Sequence, residues 1–390
     1  MKYIRHITSV LVIILIAVLA AGTIIEKLHG SEFALAHVYS AWWFVGLWAV
    51  MAGLIIIMAV KCRLWKRLSV CALHLSILLI LLGALLTMLT GQHGRMKLEP
   101  NQPNSHFFIQ EKGEITEEAL PFSLTLDRFE IETYSGSNKP KDYISYLQLT
   151  DGETHQDVVI SMNNILRHKH YRFYQSDYDE KGNSILDVAR DPWGIGVTYA
   201  GYALLFVALA AILIERRKTF RAVTWSWIGV LVVLMVFLYI RMLTHTLLPV
   251  LRSPFFSIHI STIVTAYALL LGILVVGVIA LVKPKDLARM ERLKSLSTAM
   301  LYPAVALLAF GIFIGAIWAN VSWGNYWSWD PKEVWALITL LIYAAPLHEK
   351  LWKSFQKPLF YHIYGILAFM SVLFTYFGVN LLLGGVHAYS

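Results

Sequence analysis

The sequence predicts a polytopic α-helical membrane protein of about nine spans with one small β-rich domain outside the bilayer. Two observations carry the membrane part. Hydrophobic residues make up 57% of the 390, charged residues only 15%, and the charges cluster between long apolar runs. Mean hydropathy is +0.59. That is too apolar for a soluble chain, whereas a run of about 20 apolar residues matches the roughly 30 Å hydrocarbon core. A third observation places the β-rich domain: residues 91–193 break the hydropathy with polar sequence that alternates in the manner of strands.

The apolar segments fall at about 7–25, 41–60, 68–90, 194–214, 223–243, 259–282, 299–319, 335–348 and 359–383. Basic residues collect in alternate connections. One set holds Lys2 and Arg5, then Lys61, Arg63, Lys66 and Arg67, then Arg216, Arg217, Lys218 and Arg221. It continues with Lys283, Lys285, Arg289, Arg292 and Lys294, and ends with Lys350, Lys353 and Lys357. The other short loops hold few, such as Lys27, Arg241 and Arg252. The positive-inside rule puts the first set and the N-terminus in the cytoplasm, and the β-rich domain and C-terminus outside. The net charge of +8 arises in these loops, so it does not point to nucleic acid. The first apolar run is long for a signal peptide and reads as a retained helix. Cys62 and Cys71 form no CxxC pair and lie near the cytoplasmic side, which argues against a disulfide framework or a dithiol motif.

Within 91–193 the strand-like stretches are 122–129, 143–149, 158–161 and 171–174, separated by turn signals such as Asp151-Gly152 and Lys181-Gly182-Asn183. A small sandwich is the expected form. His168 and His170 would share a strand face, but no third ligand accompanies them, so they read as a surface pair.

From Trp323 to Trp335 the chain carries four tryptophans in thirteen residues, between two apolar segments. Asp330, Pro331 and Glu333 are a good helix start, with an N-cap, a proline at N1 and a capping-box acid at N3. Tryptophan is also common at membrane interfaces, so the run alone reads equally as an interfacial helix entry. Histidines add a second reading. His259 opens the sixth span and His387 follows the ninth, both on the outer side with the tryptophans. A flat aromatic patch flanked by two imidazoles suits a porphyrin and its iron. His74 lies about seven residues into the third span, roughly 10 Å deep, and His348 ends an eighth span only about 20 Å long. Singly, each reads as a helix-bonded or interfacial residue; together they form a facing pair in the inner half of the membrane. Histidine within a span is uncommon and tends to be functional. The two pairs differ in depth by roughly 20 Å, which implies two sites and transfer between them. His245 and His362 are weaker candidates.

The run Trp323-Gly324-x-x-Trp327-x-Trp329-Asp330-Pro-Lys-Glu333-x-Trp335-Ala-Leu resembles the tryptophan-rich signature of haem-handling proteins of cytochrome c maturation. Residues 216–390, most clearly from about 225, resemble the CcsA component of the System II pathway. Residues 1–215, with the β-rich domain at 91–193 inserted, resemble its partner ResB, also called CcsB. The matching stretches begin at Ser40, Pro121, Pro140, Tyr174, Asp191 and Tyr199. The whole chain is similar to a fused synthase of CcsBA type, though short for one.

The resemblance implies a bacterial cytoplasmic-membrane holocytochrome c synthase that takes haem b from the cytoplasm. His74 and His348 would receive it, and His259 and His387 would hold it outside as axial ligands. Trp323, Gly324, Trp327, Trp329, Asp330 and Trp335 would cradle the porphyrin. The implied partners are an apocytochrome c with a CxxCH motif and a thiol-reducing, thioredoxin-like protein. Two other functions fit the same residues: a haem exporter or chaperone that performs no ligation, and a cofactor-free structural subunit whose tryptophans only anchor helices.

Overall fold

A computed structural model of the protein describes residues 2–111 and 114–383. The helices are α1 (Lys2–His29), the single turn α2 (Ser31–Ala34), α3 (Trp42–Lys61), α4 (Leu68–Thr90) and α5 (Gly194–Arg216). They continue with α6 (Thr224–Thr244), α7 (Pro254–Leu281), α8 (Leu287–Trp323), α9 (Pro331–Ala344) and α10 (Pro358–Leu373), which runs on as π-helical turns through Phe374–Leu383. Among the described residues, eight helices are long and apolar enough to cross a membrane. The segment expected as a span at 335–348 is not among them: it forms the 14-residue α9 closed by a 3₁₀ turn, Ala345–His348. At 1.5 Å per residue α9 alone covers roughly 20 Å.

Local chemistry sets the ends. Pro254, Pro331 and Pro358 each stand at the first turn of their helices, where the missing N–H costs nothing. Asp286 starts α8 by accepting from the Arg289 N–H at 2.9 Å, so this helix begins twelve residues before the expected span at 299–319. Gly324 ends it at φ 87°, the left-handed position that suits glycine.

Small residues let α4 and α5 pack closely, as is common between membrane helices. A Cβ on Gly83 would come within 2.2 Å of Thr198 Oγ1, and one on Gly194 within 2.1 Å of Thr87 Oγ1. The C-terminal helices α7, α8 and α10 bury a shared core that includes Leu270, Ala304, Leu308 and Tyr343 of α9. A second core joins α1, α3 and α9 through Leu15, Leu19, Phe44, Val334 and Ile338. None of the α6 residues in its apolar window is buried; this helix flanks the bundle beside α7.

The extramembrane domain holds β1 (Gln92–Leu98), β2 (Pro103–Glu111), β3 (Glu114–Thr133), β4 (Pro140–Asp151), β5 (Thr154–Ser161), β6 (Leu166–His168), β7 (Tyr171–Tyr178) and β8 (Ser184–Arg190). They form one antiparallel sheet ordered β5-β4-β3-β2-β1-β8-β7-β6. The expected sandwich is instead a single sheet curled so far that β5 meets β6 and β7. Register shifts at Asn104/His106 and Leu126/Arg128 are the bulges that bend strands into such a curl. Alternation buries Leu120, Phe122, Leu124 and Leu126 of β3 on the inside. Met96, Phe107, Leu147, Ile160, Phe173, Leu186 and Val188 join them from the other strands. Ser145 of β4 bonds Gln175 and Ser184 across this interior at 2.6 and 2.8 Å, satisfying the polar atoms buried there.

Candidate functional site

Three of the four histidines singled out from the sequence lie in the described region, and all three are held in the same way. His74 Nδ1 lies 2.8 Å from Val70 O, His348 Nδ1 2.9 Å from Ala344 O, and His259 Nδ1 2.7 Å from Gly311 O. A carbonyl only accepts, so in the neutral ring Nδ1 carries the proton and Nε2 the lone pair. That is the arrangement by which a second bond orients a metal-binding imidazole. His362 is different: it is buried, and its Nε2 bonds Met290 O at 3.1 Å. His387 lies outside the described residues.

His74 of α4 and His348 of the 3₁₀ turn after α9 come together, with ring centroids 6.2 Å apart and planes at 85°. Metal–imidazole bonds are about 2 Å, so two imidazoles on one metal have centroids roughly 6 Å apart. The donor type and spacing therefore fit a haem iron. His348 is exposed on the protein surface and His74 half-buried, so the pair is reachable from outside the bundle. Trp352 stands edge-on to His348 at 6.2 Å and 71°, and its indole N–H donates to Ser9 of α1.

The tryptophan run lies at the opposite end of the bundle. His259 is seated against α8, where a Cβ on Gly315 would come within 2.6 Å of its Nδ1. Its ring lies 6.5 Å from Trp318, nearly parallel at 24°, and Trp318 meets Trp323 edge-on at 5.1 Å. Trp318 did not stand out in the sequence because it falls inside an apolar helix, five residues before the motif. Trp329 takes a left-handed backbone, φ 61°, which costs about 1–2 kcal/mol for a residue with a Cβ. Stacking offsets that strain: Tyr39 lies parallel to Trp329 at 4.8 Å and 5°, and Phe44 meets it edge-on at 5.2 Å. Trp327 meets Trp329 edge-on at 5.8 Å, and its buried indole nitrogen has no hydrogen-bond partner among the described residues. Trp335 of α9 donates to Thr23 of α1 at 3.2 Å and packs on Phe374 at 4.0 Å. The patch is therefore built by the first membrane helix, the loop after it and the C-terminal helices together.

Asp330 caps α9 as expected, accepting from the Lys332 N–H at 2.9 Å, and is buried. Glu333 accepts from the Ser328 N–H at 2.8 Å, drawing the loop back over the helix start. Burial, with the Glu26 and Asp330 carboxylates next in effect, pushes the Tyr39 phenol far above its usual range. Tyr39 is thus a neutral aromatic surface for Trp329.

The β domain grips this region. Tyr174 covers Gly324 so closely that a Cβ there would lie 2.9 Å from its ring, and burial pushes its phenol up to about 12. Asn163 accepts from Ser322 at 2.7 Å and donates to Pro249 O at 3.2 Å. Tyr326 donates to Thr87 of α4 at 2.8 Å, and Thr87 donates to Asp191 at 2.6 Å. In the β domain itself, His168 is 2.9 Å from Asp151, which also takes Lys169.

Fold and site together define a polytopic membrane protein with a histidine pair at one end, an aromatic–histidine patch at the other, and a barrel-like domain clasped over the patch. Residues 52–190 match the ResB-like family and residues 197–387 the cytochrome C assembly protein family. The chain thus carries a ResB-like region and a cytochrome C assembly protein region in one polypeptide. It is 36% identical over 173 residues to protein NrfI of Wolinella succinogenes, covering 40% of this chain and 19% of that protein. It is 36% identical over 182 residues to the cytochrome c biogenesis protein CcsA of Prochlorococcus marinus, covering 37% of this chain and 57% of the relative. For CcsA of Chlamydomonas reinhardtii the figures are 37% over 153 residues, 37% and 42%. The chain thus spans about half of such CcsA relatives, 57% of one and 42% of the other, and far less of NrfI.

Proposed function

We propose that the protein receives haem b at His74 and His348 near the cytoplasmic face, passes it outward, and attaches it to an apocytochrome c at the tryptophan patch. The observation that carries the reading is the inner pair: two imidazoles at 6.2 Å, each with Nδ1 on a carbonyl and the Nε2 lone pair left for a metal. In this reading His259, oriented by Gly311 O, and His387 hold haem outside. Trp323, Trp327 and Trp329 offer faces to the ring, with Gly324 and Asp330 shaping the loop and Trp335 tying it to α1. The enzyme's contribution is placement, and the substrate's CxxCH motif supplies the nucleophiles. Each thiol adds across one vinyl group: a carbon–sulfur bond forms, the thiol proton passes to the other vinyl carbon, and no net oxidation occurs. The thiols must arrive reduced, which assigns a thioredoxin-like partner to that task. The setting is a bacterial cytoplasmic membrane with the β domain, tryptophan loop and C-terminus outside.

The test is co-expression with a CxxCH reporter, scored for covalent haem, alongside the absorption spectrum of the purified protein before and after dithionite. A low-spin spectrum that weakens in His74→Ala and in His259→Ala, with covalent haem on the reporter, is expected. Bound haem without a covalent product would identify an exporter instead. A colourless protein that takes up no added haemin would leave only a structural role.

A further inference from the structure

The inner pair has a neighbour that the reading above does not use. Arg5 sits one turn before Ser9 on α1, and Ser9 Oγ donates to Arg5 O at 2.8 Å. The same Ser9 hydroxyl accepts the indole N–H of Trp352, whose ring stands edge-on to His348 at 6.2 Å. One residue, Trp352, therefore separates the Arg5 turn from the imidazole pair. A basic residue at the inner end of a first span is ordinarily an interfacial anchor, with its head in water. Arg5 departs from that pattern. Its side chain is only partly exposed, and its Nε is buried with no hydrogen-bond partner among the described residues. An enclosed guanidinium N–H without an acceptor is costly, and a carboxylate is the acceptor that its planar fork fits best.

We propose that Arg5 is a carboxylate-binding residue that takes a propionate of the haem held by His74 and His348; this rests on the inner-site reading above. Haem b carries its two carboxylates on one edge. Arg5 therefore selects which edge lies against α1, and the two vinyl groups are turned away from it. Lysine would meet the charge but not the two-point geometry.

The experiment titrates the full-length protein, purified in detergent, with haemin and with haemin dimethyl ester, whose carboxylates are blocked. The readout is the Soret shift. A His259→Ala background confines the signal to the inner pair, and a His74→Ala control identifies it. Haemin should bind more tightly than the diester by about tenfold, the scale of one charge-assisted contact. Arg5→Gln should lose that advantage for haemin and leave diester affinity as it was; Arg5→Lys should restore part of it. Equal haemin affinity in Arg5→Gln and the parent overturns the proposal. So does an equal loss for haemin and diester, which would mean that Arg5 only anchors α1. If instead His74→Ala leaves the Soret shift intact, the pair is not the haem site and the reading beneath the proposal fails. Matching thermal melts for the Arg5 variants keep misfolding apart from these outcomes.

Discussion

Trp329 pairs a left-handed backbone with the closest-to-parallel aromatic stack in the site, Tyr39 at 5°. A residue that bears such strain depends on its neighbours to stay there. Tyr39→Ala should therefore release the loop, and limited proteolysis near 325–330 should speed up; an unchanged cleavage rate would show that the stack does not hold it. Gly315 gives a sharper case. Its Cα leaves room for the His259 ring, and a methyl group would meet Nδ1 at 2.6 Å. Gly315→Ala should displace His259 and remove the outer low-spin haem signal while sparing that of the inner pair. A spectrum identical to the parent's would count against His259 as a ligand. In the β domain, Asp151 is held below the usual carboxylate range, by Lys169 first and His168 second. A depressed pKa adds stability above the unfolded value, about 4, and that stability is lost as pH falls through the folded value. The β6–β7 turn should loosen in acid below about pH 4, and Asp151→Asn should flatten that part of an amide-exchange pH profile.

At the scale of the element, the helical spans were legible because apolar length reports them directly. α9 shows the limit. Its 14 residues match the short run read from sequence, but the 3₁₀ turn that carries His348 toward His74 has no periodic signal. The histidines were visible as residue types in or beside the apolar segments. The carbonyl that orients His259 was not, because it lies on another helix, 52 residues away. The β domain was legible as strands through two-residue alternation, while its closure was not, since sandwich and barrel bury the same faces. β1 and β2 escaped notice because their alternation is diluted by His93, Arg95, Lys97 and His106. The α4–α5 seam carries a prediction of its own. Gly83→Val would force its new side chain into Thr198 and the adjoining backbone. Overpacking typically costs about 1–3 kcal/mol, so the melting temperature should fall, with a perturbed spectrum at His74 on the same helix. Unaltered melting would mean that the seam can widen freely.

For the whole molecule, the two halves expected from the sequence, 1–215 and 216–390, touch at points well away from the stretch 217–223, just after α5, at which they adjoin. Tyr199 of α5 donates to Asn320 of α8 at 2.9 Å, Tyr326 reaches Thr87, and Asn163 reaches Ser322 and Pro249. Leu205 and Leu209 pack with Ala306 and Ala309. Two polypeptides divided in that stretch and co-expressed should purify as one complex. Recovery of each half alone would show that the peptide link, not the interface, keeps them together.

One of these contacts turns α4 into a measuring rod. Its inner end bears His74, and its outer end bears Thr87, which Tyr326 ties to the tryptophan loop. Thirteen residues of helix separate the two, roughly 20 Å. α4 is also packed tightly on α5, Gly83 against Thr198 and Gly194 against Thr87, and a packed helix of this kind keeps its length. In the proposed function the two haem sites are thus held at a set interval, and a molecule bound at one would have to let go before it could be grasped at the other.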